Sequence, residues 1–250
     1  MSRSILLLRA HGKNPTRDIR YLAPILSRLR RGREARRNGD RGPLGNGAAM
    51  SYSNWHVRAV ECLDAQNGER VLLELLREPD YERDAVGALI RLARVQKPEQ
   101  RFGFNRPDYR TVWEARSKRQ VAGFDEDRRV RYISSIKQQI TTLTEQRLQS
   151  GTPDSFNGRL KTLAGALARL DARESAALVM EIMALPGQWD GYTRADALEA
   201  LLFGGAHLEA DAALKVLNPT IDHIIQTGAV HDQNNGFLLQ RCLCLLSFLH

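Results

Sequence analysis

Apolar and small residues recur along this chain in a helical phrase. A polar residue is followed by a small or apolar one, then two variable positions, another small or apolar residue, and Leu. The phrase reads Arg58-Ala59-x-x-Cys62-Leu63, Asp84-Ala85-x-x-Ala88-Leu89, Thr162-Leu163-x-x-Ala166-Leu167, Asp196-Ala197-x-x-Ala200-Leu201 and Arg241-Cys242-x-x-Leu245-Leu246. Its apolar members fall at i, i+3 and i+4, on one face of a helix. Small residues on that face let helices approach closely. A lone helix pair cannot bury such a stripe, so pairs stack on one another.

Capping chemistry places the helices. Asp80 after Pro79 predicts a helix from Tyr81 to Val95. A longer helix is expected from about Asp127 to Ser150 on Val130, Ile133, Ile136, Ile140, Leu143 and Leu148, stopped by Gly151-Thr152-Pro153-Asp154. Asp171 with Glu174 predicts a capping box, and Thr193 with Asp196 repeats its spacing. Asn218-Pro219 predicts a cap and first-turn proline for a helix through Ile225, with Gly228 after its end. Gly204-Gly205-Ala206-His207 reads as a helix stop and turn.

The first small positions lie 26 residues apart from Ala59 to Ala85, then 78 to Leu163, 34 to Ala197 and 45 to Cys242. Such spacing excludes a fixed period. Over Trp55 to Leu76, Tyr81 to Val95, Leu160 to Leu185 and Tyr192 to Leu217 the chain resembles the HEAT-like α-solenoids, whose repeats are degenerate. The resemblance implies an all-α, irregular HEAT-like α-solenoid of antiparallel helix pairs presenting a concave surface to another protein.

The net charge of +8 changes meaning once it is placed along the sequence. Residues 1–49 hold 12 Arg/Lys against 3 Asp/Glu, which leaves 25 against 26 for the rest. Residues 101–150 are net +5 and residues 151–250 net −4. Polyanion binding would therefore fall to the tail or to the middle segment. In the tail, Ile19, Leu22, Ile25, Leu26 and Leu29 predict one amphipathic helix over about 16–31; residues 32–47 have almost no apolar content and are expected to be disordered. The tail reads as a solvated linker or as translation upstream of Met50, with an electrostatic arm or a transit peptide as the rivals.

An irregular insertion is expected at about 97–125. It interleaves Phe104 and Trp113 with Arg101, Arg106, Arg110, Arg116 and Arg119. Rings beside guanidinium groups suit single-stranded nucleic acid or a partner protein. The competing reading makes the rings core anchors, with Asp108, Glu114, Asp125, Glu126 and Asp127 diluting the local field. Trp189 and Tyr192 flank a turn and are candidate partner anchors, or plugs between helix pairs.

Catalytic and metal chemistry find little support. His223 and His231 match no standard zinc spacing, and Cys242-x-Cys244 points its thiols in different directions on a helix. No phosphate loop, dinucleotide fingerprint or serine elbow occurs. A HEAT-like base-excision glycosylase would have to find its carboxylate in Asp108 or Glu114 beside Trp113. Three cysteines without framework spacing imply reduced thiols and a cytoplasmic location. No apolar run approaches the ~18 residues of a membrane helix. The apolar run Leu238 to Leu249 reads as an uncapped solenoid end that packs back, docks on a partner or continues in a longer protein.

The reading is thus a tail over 1–49 and a helical-repeat domain over 50–250. The domain serves as a non-enzymatic scaffold or sensor for another protein, without cofactor or metal. A nucleic-acid-binding helical-repeat protein is the alternative, and the oligomeric state is left open.

Overall fold

The computed structural model describes residues 60, 65–79, 81–95, 123–187, 191–228 and 233–249. The regular secondary structure among these residues is helical; the one β-type pairing among them is an isolated antiparallel bridge between Arg94 and Phe124. The chain divides into two compact units between Leu92 and Ala93. The tail, Met50, the first phrase, Asp80 and most of the 97–125 insertion lie outside the described residues.

In the first unit, α1 (Ala65–Leu75) buries Val71, Leu72 and Leu75, followed by Leu76. The next helix, α2 (Glu82–Ala93), carries Glu82 and Asp84 in its first turn, where they complement the helix dipole. Ala85, Ala88 and Leu89 are fully buried, as the phrase predicts for its inner face.

The second unit begins where the bridge pins the two ends of the 96–122 segment together. Val95 N–H donates to Gly123 O at 3.0 Å, and Asp125 N–H to Ala93 O at 2.7 Å. From there α3 (Glu126–Gln149) opens on Asp125, whose Oδ1 accepts from the Arg128 amide at 3.1 Å. The helix keeps within one residue of the expected bounds. Its core stripe differs, because Tyr132, Ile136, Ile140 and Leu143 are buried whereas Val130 and Leu148 face solvent. Tyr132, fully buried, takes its place on the inward face four residues before Ile136.

A 3-10 turn at Pro153–Phe156 leads into α4 (Asn157–Leu170), which is buried at nine positions and packs against α3, α5 (Ala176–Met183) and α6 (Gly191–Phe203). Each fully buried leucine here contributes about 1.5–3 kcal/mol relative to an exposed one. Three polar tethers lock α3 to the ends of α4. Arg129 donates to Leu170 O at 2.8 Å, Lys137 to Asp171 at 3.0 Å and Arg147 to the Asn157 side chain at 3.0 Å. Asp171 therefore does not cap the next helix as the sequence suggested. Its carboxylate accepts from Lys137 and from Ser175 Oγ, and α5 starts after Ser175 without a side-chain cap.

Two further sequence readings are corrected. Helix α6 is under way before Thr193, and Asp196 serves an ion pair in place of a cap. Helix α7 (Ala210–Gln226) runs straight through Asn218 and Pro219. Proline removes one amide and strands the carbonyl four residues back. That carbonyl belongs to exposed Lys215, and Pro219 is itself exposed, so the bond the helix loses lies on its solvent side. The stops at Gly205 (φ +77°) and Gly228 (φ +64°) are as read from the sequence. The last helix, α8 (Gln233–Ser247), packs on α6 and α7. Gly191 permits the α6 approach, since a Cβ there would lie 2.6 Å from Thr220 Cγ2 and 2.9 Å from Leu238 Cδ2.

Candidate interaction surface

Helix α8 has an inner face fixed by charge and an outer face without any. Its single charged residue, Arg241, is 2% exposed. Its Nε donates to Glu199, also buried on α6, and its NH2 to Asp196 Oδ1 at 2.5 Å; Arg169 at the end of α4 reaches the other Asp196 oxygen at 3.6 Å. Burial would depress the Arg241 pKa, but the Glu199 hydrogen bond and the charges of Asp196 and Glu199 outweigh it and raise it. The guanidinium is thus a permanent cation bound to two anions. Asp196 and Arg241 occupy the same polar position of two successive phrases, with opposite charge. The sequence held that signal, and a reading that looked only at the apolar positions missed it.

Leu238, Cys242 and Leu245 complete the inner face. Burial pushes the Cys242 thiol up to about 11 and raises Cys244 as well, so neither is an activated nucleophile. Neither forms a disulfide.

Gln240, Leu243 and Ser247 share the outward face of α8 and form a ridge with Phe237 at its flank, while Asn234 is exposed in the first turn. Leu243 is 54% exposed, and Phe248 just beyond the helix 64%. No member of the ridge is ionisable. At its start stands Tyr192, one of the two turn aromatics, whose hydroxyl donates to Asn234 O at 2.7 Å while the residue stays 42% exposed. Tyr192 therefore ties the start of α6 to the start of α8 and borders the ridge.

The turn before α6 is held from beneath. Buried Lys161 donates to Leu185 O and Pro186 O, Asn157 to Pro186 O, and buried Arg194 to Leu185 O and Gly187 O. Trp189, the other turn aromatic, lies outside the described residues, as do Arg101, Phe104, Arg106, Arg110, Trp113, Arg116 and Arg119. Asp108, Glu114 and His231 fall outside them too. His223 lies in the last turn of α7. Among the described residues no cluster of three His, Cys, Asp or Glu is arranged to hold a metal ion, and no helix is long and apolar enough to cross a membrane.

No family model, curated protein or solved structure matches this chain.

Proposed function

We propose that the chain is a non-enzymatic protein-interaction module, a scaffold or sensor built of irregular HEAT-like antiparallel helix pairs, acting in the cytoplasm. The observation that carries this reading is the neutral, partly apolar ridge of α8. Surface helices ordinarily keep charge in water, and interface cores are depleted of charge and enriched in aromatic residues. Phe237, Leu243, Phe248 and neighbouring Tyr192 have that character, on a helix anchored firmly enough to present them in one geometry.

The test is affinity capture by the full-length chain from its native cell, with nuclease treatment before elution. The expected result is a protein partner that resists nuclease and is lost with Leu243→Asp. Capture that disappears on nuclease treatment would overturn this reading in favour of nucleic-acid binding, for which residues 101–150, net +5, are the candidate segment.

A further inference from the structure

We draw no further inference here: the strongest candidate, the neutral outer face of α8 around Gln240, Leu243 and Ser247, belongs to the site already described, and nothing in the structure shows what covers it.

Discussion

Helices α3 and α8 both lie at the surface, and both expose large apolar residues, yet they are finished differently. On α3, Val130 and Leu148 stand among Glu126, Asp127, Arg131 and Glu145, with serines, threonines and glutamines between them. On α8, Phe237 and Leu243 stand among Asn234, Gln240 and Ser247. The inner faces are reversed as well: α3 buries only uncharged side chains, whereas α8 buries a guanidinium between two carboxylates. An exposed leucine is ordinary on any protein surface. What marks α8 is the withdrawal of charge from its outer face and the placing of its one charge inside.

The comparison is broken most severely from within. Arg241→Ala would leave Glu199 buried without its cation, and removing one partner of a buried pair typically costs about 3–5 kcal/mol. We expect a fall of that size in the unfolding free energy from denaturant titration. Replacing Arg241 and Glu199 together by Met and Leu should recover much of it, because no lone charge then remains. Equal losses in the single and double variants would show that the pair acts only through packing volume.

Next in size is the small-residue face. Ala200 is 2% exposed on α6, and overpacking a buried site of this kind costs about 1–3 kcal/mol. Ala200→Leu should lower the denaturation midpoint accordingly. An unchanged midpoint would mean that α6 can slide on its neighbours, and that the recurring phrase does not report close packing.

That phrase was the part of the fold most legible in the sequence. Ala85, Ala88, Ala166, Ala197, Ala200 and Cys242 are all buried, the bounds of α3 fall within a residue of expectation, and Gly205 and Gly228 end helices with positive φ. Local signals fix these features. The misreadings at Asp171, Asp196 and Pro219 share one physical cause. A carboxylate or a proline has a local use, as cap or as breaker, and tertiary context can claim it for another. Lys137, 34 residues away, takes Asp171; Arg241, 45 residues away, takes Asp196; and solvent at Lys215 makes Pro219 harmless within α7. The ridge of α8 was visible only as an apolar run near the chain end, because which flank turns outward is decided by Arg241 turning inward.

A smaller effect separates α3 from the rest by pH. Burial tends to raise the Asp171 pKa, but hydrogen bonds from Ser175 and Lys137, with the charges of Lys137 and Arg129, outweigh it and hold it below the ordinary value. A depressed carboxylate stabilises the fold above its unfolded pKa of about 3.9 and loses that contribution as pH falls through the folded value. Lys137 is 42% exposed, so solvent screening keeps the pair within about 0–1 kcal/mol. Asp171→Asn should therefore melt slightly lower than the wild type at pH 6, and the gap should close as the pH falls below about 4. A gap that does not narrow as the pH falls would assign the loss to the Ser175 hydrogen bond instead of the charge.

The smallest change in stability carries the sharpest contrast between the two helices. Leu148 on α3 is 76% exposed and Leu243 on α8 is 54% exposed, so each surrenders little buried area when replaced. Leu148→Asp and Leu243→Asp should both leave the unfolding free energy within about 0.5 kcal/mol of the wild type, as exposed substitutions usually do. Only one of them should matter to association. At 148 a new carboxylate joins a face that already carries Glu145, and nothing is lost. At 243 it would place charge on a ridge that otherwise has none. Affinity capture from the native cell should then report loss of the protein partner for Leu243→Asp alone. Equal behaviour of the two variants would show that exposure of a leucine, and not the neutrality of its surroundings, is all that distinguishes α8 from α3.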